Sequence, residues 1–339
     1  MRVWFNRTFS SVSAAISLIR QADPAGRFYL IYSNPSPHVA AARTAHAFYT
    51  EPRGLEMDAY LDWCLACCRD QQIDIFIPGK GATALAAQHE RFAAHGTRIL
   101  SAAPAEQLEL IHDKARFYAA SHVAGAPVAP FLPFETADQF DAAYAALRPQ
   151  HRQLCIKPSH SVFGLGFAIL DEQRSSAALL LAGAAYHIGY DDFRRGLAEL
   201  GSCRPMLLMA YLDGEEYSVD CVGEHGRLVC AVARRKPATA GQGQLIDMRA
   251  DILGACAQLA STHGLNGVFN IQFRLGDGVL HLLEINPRMS GGIAMACVAG
   301  PNLPWIALSG FADGYGRVHV PAVRDGIRVA ELASATELA

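Results

Sequence analysis

The chain has 339 residues and a formal net charge of −3, and 51% of its residues are hydrophobic while 18% are charged. This composition excludes a disordered chain, a collagen-like fibre and a small disulfide-stapled protein. The near-neutral charge provides no field that would hold duplex DNA through its phosphates, so we expect no nucleic-acid partner.

The 9 cysteines lack the spacing of a disulfide framework, which indicates a reducing compartment. No apolar run reaches the about 20 residues that a membrane-spanning helix needs. The N-terminus does not read as a signal peptide, because Arg7 and Arg20 interrupt its apolar residues. We therefore expect a cytoplasmic protein without a membrane partner, built from two or three packed units.

Strand-like and helix-like segments alternate through the first part of the chain. The predicted strands are 3–5, 28–32, 73–77 and 98–100, and the predicted helices are 11–19, 58–69 and 82–94. Such alternation is typical of βαβ units around a parallel sheet. The turn at residues 6–10 contains no glycine, whereas a dinucleotide-binding fingerprint requires glycines there. A nicotinamide-dependent dehydrogenase is therefore excluded.

Two local patterns in the first part of the chain can each be explained either by structure alone or by a function. The glycine-rich residues 78–81 follow a strand, where open α/β sheets bind ligands, but an ordinary tight turn explains them equally well. Cys64 and Cys67 could form half of a metal site. Because no second pair stands at zinc-site spacing, buried thiols on a helix face are the favoured interpretation.

The pattern changes near residue 105. Helices are predicted at 105–111, directly after Asp113-Lys114 and at 137–147, and a mainly helical segment at 174–200 is broken near Gly189. Strands are predicted at 154–157, 167–170, 206–211, 217–222, 228–233, 268–275 and 279–285. We divide the chain into an α/β domain at 1–104, a domain at 105–321 with lobes at about 118–205 and 206–321, and a C-terminal segment at 322–339.

The strongest chemical signal lies on the last two predicted strands. Glu284 and Asn286 share one strand face, and oxygen donors of this kind suit Mg²⁺. Gln272, on the preceding strand, joins them only if the strands are connected by three residues or contain a bulge, which we therefore predict. The alternative is an ordinary hairpin with exposed polar residues at its end.

The sequence Glu-Ile-Asn-Pro-Arg at 284–288, then Ser290-Gly291-Gly292 and Gly-Pro-Asn-Leu-Pro at 300–304, resembles the end of the ATP-grasp ligases. It is most similar to the branch with carbamoyl-phosphate synthetase and biotin carboxylase. Upstream, Lys114, Lys157 and residues 214–220 match further family motifs in the family's order. The resemblance covers residues 105–310 and implies a mixed α/β and α+β fold, with a Rossmann-like parallel-sheet domain before a two-lobed ATP-grasp domain.

The resemblance also implies the site residues and the cofactors, which are ATP and two Mg²⁺ ions, with Mn²⁺ as a substitute. The implied catalytic residues are Arg288, facing the transferred phosphoryl group, and Lys157. The implied metal ligands are Gln272, Glu284 and Asn286. The implied nucleotide-binding residues are Lys114, Lys157, Ser161, Gly164, Ala210, Leu212 and Glu216.

Two segments depart from the family pattern. The loop at 159–166, expected over the phosphates, is poorer in glycine than usual, and Met209-Ala210 stands where Glu-Lys is common. Backbone groups at Ala210 and Leu212 can still recognise adenine, so we retain ATP rather than GTP. Lysine occurs only at 80, 114, 157 and 236, so two of the four lysines occupy family positions.

The substrate residues are less strongly indicated. Arg235 and Lys236 are either a solvated basic turn or a site for the anionic substrate, and Ser290, Gly291 and Gly292 open a predicted helix that could bind an anion. We expect an ATP-dependent ligase that joins a small-molecule carboxylate to an amine or another nucleophile through an acyl-phosphate. The alternatives are a non-catalytic ATP-binding regulatory module and a bicarbonate-using carboxylase. A homodimer is an open alternative to a monomer.

Overall fold

The computed structural model describes residues 1–8, 11–161, 165–237 and 241–332. The chain divides into two compact units. Unit 1 contains residues 1–109, 215–272 and 285–339, and unit 2 contains residues 110–214 and 273–284. The domain boundaries that we placed at 104/105 and 321/322 stay predictions. Within the described residues, no helix is both long and apolar enough to cross a bilayer.

The N-terminal part of unit 1 contains a five-stranded parallel sheet in the order β3-β2-β1-β4-β5. Its strands are β1 (Arg2–Phe5), β2 (Tyr29–Asn34), β3 (Ala47–Thr50), β4 (Ile75–Ile77) and β5 (Arg98–Ile99). Its helices are α1 (Ser11–Ala22), α2 (Ala40–Thr44), α3 (Met57–Asp70), α4 (Ala82–Ala87), α5 (His89–Ala93) and α6 (Ala105–His112), the last of which extends into unit 2. The parallel sheet predicted from the alternation is confirmed.

The central strand β1 is apolar because both of its faces are covered. Val3 and Phe5 pack in the cluster that contains the buried face of α1. Trp4 points to the opposite face, where it packs with α3 and stacks on Phe76 with ring centroids 4.1 Å apart. A strand buried on both faces reads as a continuous apolar run, which is what the sequence shows here.

Unit 2 is built on the five-stranded sheet β6-β10-β7-β8-β9. Its strands are β6 (Phe131–Phe134), β7 (Leu154–Pro158), β8 (Ala168–Asp171), β9 (His187–Gly189) and β10 (Met206–Ala210). Its helices are α7 (Lys114–Ala120), α8 (Ala137–Leu147), α9 (Ser176–Leu181) and α10 (Tyr190–Leu200), with a 3₁₀ turn at Arg148–Gln150. Leu154 and Ile156 of β7 pack into the core with α8 and α10, so Cys155 and Lys157 point to the opposite face.

The remaining strands form a six-stranded sheet in the order β15-β14-β11-β12-β13-β16. The strands are β11 (Glu216–Glu224), β12 (Arg227–Arg235), β13 (Gln244–Ile246), β14 (Gly267–Gly276), β15 (Val279–Asn286) and β16 (Arg328–Val329). The helices are α11 (Ala250–Thr262), α12 (Ile293–Val298) and α13 (Leu303–Asp313), with a 3₁₀ turn at Tyr315–Arg317.

We predicted that β14 and β15 either have a three-residue connection or contain a bulge, and the connection is not of three residues. It consists of two residues, Asp277 and Gly278, with φ values of 50° and 77°. Two positive φ angles are typical of a type I′ turn, so the three-residue connection was wrong. Along β15, Leu280, Leu282 and Ile285 are buried, and the spacing changes from two to three residues. An extra residue within the strand would produce such a change of phase.

Candidate active site

In unit 2, Asp113 and Ser159 connect the start of α7 to the end of β7. The Asp113 side chain accepts hydrogen bonds from the backbone N–H groups of Ala115 and Arg116 at 3.1 and 3.3 Å, which makes it the N-cap of the helix. Its Oδ1 also accepts from Ser159 Oγ at 2.6 Å. Lys114 N–H donates to Ser159 O at 3.0 Å. The first residue of α7 is therefore fixed beside the strand that carries Lys157.

Lys114 is one of the two lysines that match the family positions, and its side chain is buried. Its Nζ lies 3.8 Å from Glu284 Oε2 and donates to the carbonyl oxygen of Ser161 at 3.2 Å. Burial lowers the pKa of Lys114, and the Glu284 carboxylate opposes that effect while the charge of Lys157 adds to it. The structure thus brings Lys114, Lys157 and Glu284 into electrostatic contact.

Lys157 lies on the aromatic ring of Tyr118, a residue that was not predicted from the sequence. Its Nζ donates to Tyr118 Oη at 2.6 Å and stands 4.7 Å from the ring centroid. The Tyr118 hydroxyl in turn donates to the carbonyl oxygen of Leu283. Burial raises the pKa of Tyr118 well above its usual value and lowers the pKa of Lys157. Tyr118 therefore stays protonated and orients the lysine beside Glu284.

The remaining predicted nucleotide residues of unit 2 are only partly described. Ser161 follows β7, whereas Gly164 lies outside the described residues. Ala210 and Leu212 are buried and line a cleft of about 700 Å³ within unit 2. The tip of the β14–β15 hairpin forms another wall of this cleft. Backbone recognition of adenine by Ala210 and Leu212 stays a prediction.

In unit 1, Asn286 and Arg288 are in direct contact. Arg288 Nη2 donates to Asn286 Oδ1 at 3.2 Å, and Nη1 donates to the carbonyl oxygen of Met289 at 3.0 Å. Arg288 also lines a cavity of about 60 Å³, whose walls are largely apolar side chains from β1, α1 and α13. The guanidinium of Arg288 is thus held next to a predicted metal ligand.

The predicted metal ligands supply one carboxylate and two amides. Glu284 and Asn286 stand two residues apart on β15, and Gln272 lies on β14. In the part of the chain that the structure describes, no group of three or more His, Cys, Asp or Glu side chains could hold a metal ion. A metal ion bound through Glu284 would therefore take its other ligands from amide oxygens, waters or substrate phosphates, as Mg²⁺ commonly does. Carboxylate and amide oxygens suit Mg²⁺, so the donor set fits this ion.

The predicted substrate cations are paired with acids of unit 1. Arg235 Nη1 lies 2.7 Å from Glu215 Oε1, and its Nε lies 3.5 Å from Asp247 Oδ2. Lys236 Nζ donates to Glu216, the residue predicted to accept the ribose hydroxyls. These contacts neutralise both cations, so each would have to exchange an acid for an anionic ligand.

The third cation of this segment, Arg234, is buried. It pairs with Asp220, with Nε and Nη2 at 3.0 and 2.8 Å from Oδ2, and also donates to Ser290 Oγ at 3.0 Å. Gly292 packs against the guanidinium so closely that a Cβ there would lie 2.5 Å from Nη1. The segment 290–292 is thus fixed by a buried ion pair that the sequence analysis missed.

A family model described as "ATP-grasp in the biosynthetic pathway with Ter operon" matches residues 202–335. The arginine-specific large chain of carbamoyl phosphate synthase from Geobacillus stearothermophilus is 25% identical over 55% of this chain and 17% of its own. Carnosine synthase 1 from Gallus gallus is 37% identical over 31% of this chain and 13% of its own. The chain therefore spans less than a fifth of either relative.

Among solved structures, the biotin carboxylase domain of the Hydrogenobacter thermophilus 2-oxoglutarate carboxylase superimposes with a TM-score of 0.64. The match covers 97% of this chain and 72% of that one, at 13% sequence identity. That structure is a dimer in complex with MgADP, ADP and bicarbonate. At this level of identity, the likeness concerns the fold.

Proposed function

We propose that this chain, which contains an ATP-grasp domain as its motifs predicted, is an ATP-dependent ligase that joins a small-molecule carboxylate to an amine or a similar nucleophile. The reaction proceeds through an acyl-phosphate. The partial likeness to carnosine synthase agrees with this class of reaction, although it covers only 31% of the chain.

One observation carries the proposal: Lys114 Nζ lies 3.8 Å from Glu284 Oε2 while Lys157 stands beside Tyr118 on the same face of unit 2. Two desolvated lysines next to one carboxylate form a site with excess positive charge. Phosphoryl transfer depends mainly on positioning and on electrostatic stabilisation of the phosphates, which such a site provides. A purely structural ion pair would not require the second lysine, because desolvation makes an extra buried charge costly.

We assign roles to the remaining residues on the same basis. Gln272, Glu284 and Asn286 would hold magnesium, and the bound ion would neutralise phosphate charge. Arg288 contacts Asn286 and would stabilise the transferred phosphoryl group with its guanidinium. Backbone groups at Ala210 and Leu212 would receive adenine.

In the first step, a substrate carboxylate oxygen attacks the γ-phosphorus of ATP, the bond from that phosphorus to the β–γ bridging oxygen breaks, and ADP leaves. In the second step, the amine attacks the acyl carbon and inorganic phosphate leaves. The amine proton is lost to solvent or to the departing phosphate. The chain therefore needs charge stabilisation more than it needs a strong general base.

The proposal also covers the number of metal ions, the contacts to the ribose and the substrate, and the oligomeric state. ATP would act with two Mg²⁺ ions, and Mn²⁺ could replace them. Glu216 would accept the ribose hydroxyls after releasing Lys236, and Arg235 or Lys236 would then face the anionic substrate together with the segment 290–292. A homodimer is the proposed assembly, since the biotin carboxylase domain with this fold is a dimer.

The test measures phosphate release from ATP over a panel of carboxylates paired with amines. We expect release that depends on both substrates and falls to background in Glu284→Ala. Glu199→Ala, an exposed acid on α10, is the matched control and should keep the activity. ADP binding without phosphate release from any pair would favour a regulatory module. Release that depends on bicarbonate alone would favour a carboxylase.

A further inference from the structure

The side-chain amide of Asn270 has only one orientation that its surroundings allow. Asn270 is completely buried on β14, and its Nδ2 lies 3.0 Å from Ser218 Oγ, 3.1 Å from Val219 O and 3.0 Å from Asp220 Oδ1. A backbone carbonyl and a carboxylate oxygen paired with a guanidinium can only accept hydrogen bonds. The NH₂ group must therefore face Val219 and Asp220.

Asp220 is itself fixed by Arg234. Both side chains are buried, and the guanidinium donates twice to Asp220 Oδ2. This arrangement leaves Oδ1 for Asn270 and gives the carboxylate no freedom to rotate. The orientation of Asn270 is consequently imposed by a charged pair in the interior of unit 1, where an unsatisfied polar group is costly.

Gln272 is two residues further along β14 and shares a strand face with Asn270. Its Nε2 lies 3.4 Å from Asn270 Oδ1. Because that oxygen can only accept, Gln272 must present its NH₂ group to it. The reversed amide would set Oε1 against Oδ1, which is repulsive. The Gln272 oxygen is therefore directed away from Asn270.

We propose that Asn270 is a positioning residue that fixes the Gln272 amide with its oxygen available to magnesium. This inference rests on the proposed function, in which Gln272 is a metal ligand. It explains why an amide stands at position 272, since a glutamate there would place one carboxylate oxygen against Asn270 Oδ1. Asn270 and Gln272 thus form a matched donor–acceptor pair.

The experiment measures ADP affinity by calorimetry in MgCl₂ and in EDTA, and the ratio of the two affinities defines the magnesium-dependent gain. In Asn270→Ser, we expect this gain to fall by about 10-fold or more, because residues that orient metal ligands typically have effects of that size. The affinity in EDTA should stay the same. Gln272→Glu should also lower the gain, although it adds a negative charge to a metal ligand.

The double variant Asn270→Ser/Gln272→Glu should recover part of the gain, since a serine hydroxyl can donate to a carboxylate. The matched control is Asn266→Ser, a second buried asparagine, which bonds to the backbone groups of His225 and Ser101 and should leave the gain unchanged. If Asn270→Ser does not fold, Gln272→Glu decides alone, since residue 272 is only partly buried.

Three results would overturn the inference. They are an unchanged gain in Asn270→Ser, an equal loss of affinity with and without magnesium, and a larger gain in Gln272→Glu than in the unmodified chain. A different result addresses the proposed function: if the unmodified chain shows no magnesium-dependent gain, the metal site itself is refuted, and the positioning role falls with it.

Discussion

Asp113 is a small side chain that we expect to affect both the stability of the chain and its nucleotide binding. It caps α7 through two backbone N–H groups and accepts a hydrogen bond from Ser159, which is 1% exposed. Replacement by alanine removes a cap, at a cost of about 1 kcal/mol, and a hydrogen bond to a charged group, worth about 1.5–3 kcal/mol. We expect Asp113→Ala to lower the free energy of unfolding by about 2.5–4 kcal/mol.

The same change should weaken ADP binding. Lys114 and Tyr118 both stand on α7, so a frayed first turn misplaces one lysine and the tyrosine that orients Lys157. A loss of about 1.4 kcal/mol in binding would raise the ADP dissociation constant about 10-fold. Asp113→Asn is the matched control, because asparagine caps helices as well as aspartate does. It should lose only the charged part of the Ser159 contact.

The pH dependence gives a further check. Burial alone would raise the pKa of Asp113, but the Ser159 hydroxyl and the N–H groups of Arg116 and Ala115 outweigh it and hold the pKa below the usual value of an aspartate. A depressed acid stabilises the fold above its unfolded pKa, and that contribution is lost as the pH falls through the folded value. The difference between the parent chain and Asp113→Asn should therefore shrink below pH about 4.

Urea unfolding followed by far-ultraviolet circular dichroism measures the stabilities, and calorimetry measures ADP affinity. Hydrogen exchange of the Ala115 and Arg116 amides reports the cap directly. If the free energy of unfolding of Asp113→Ala lies within about 0.5 kcal/mol of that of the parent chain, the range of ordinary surface substitutions, Asp113 does not stabilise α7 as a cap. If Asp113→Ala is destabilised but binds ADP with unchanged affinity, the helix cap does not contribute to nucleotide binding.

Two further predictions concern close contacts in each unit. Gly292→Ala should lower the free energy of unfolding, measured in urea, by about 1–3 kcal/mol, because the new Cβ would clash with the fixed Arg234 guanidinium. In Gly291→Ala the new Cβ would meet no atom within 4 Å, so this variant should be as stable as the parent chain. A destabilised Gly291→Ala, or a neutral Gly292→Ala, would contradict this. Tyr118→Phe should lower kcat/KM for ATP-dependent phosphate release about 10-fold, equivalent to about 1.4 kcal/mol of transition-state stabilisation. Lys157→Ala should lose more than Tyr118→Phe, and the reverse order would refute the role of Tyr118 as an orienting group.

Elements with a local signal were predicted well. The helix 137–147 was predicted with its observed bounds, and in the structure the Thr136 side chain caps it by accepting from Gln139 N–H. The three-residue strand β9 lies at the break that we predicted near Gly189, but it was not predicted as a strand, because so short a strand shows no periodicity. Helices α11 and α13 were not predicted. The Arg249 side chain does not cap α11, and α13 is apolar on most of its surface, which removes the helical pattern.

The residues of the candidate site also differ in how visible they are in the sequence. Glu284, Lys114 and Lys157 carry motif-specific signals, and the structure brings these three side chains together within unit 2. The network around Asn270 and Arg234 carries no such signal, because its members come from β11, β12 and β14 and from the segment after β15. Their contact depends on strand pairing, which the one-dimensional sequence does not encode as spacing.

The absence of a side chain at residue 292 has an evolutionary consequence. A guanidinium occupies the space that a Cβ would take, and it is held there by Asp220. A relative that carries a larger residue at this position must therefore shorten the cation at 234 or move it, and Asp220 would then lose its partner. Residues 220, 234 and 292 should therefore covary among homologous sequences.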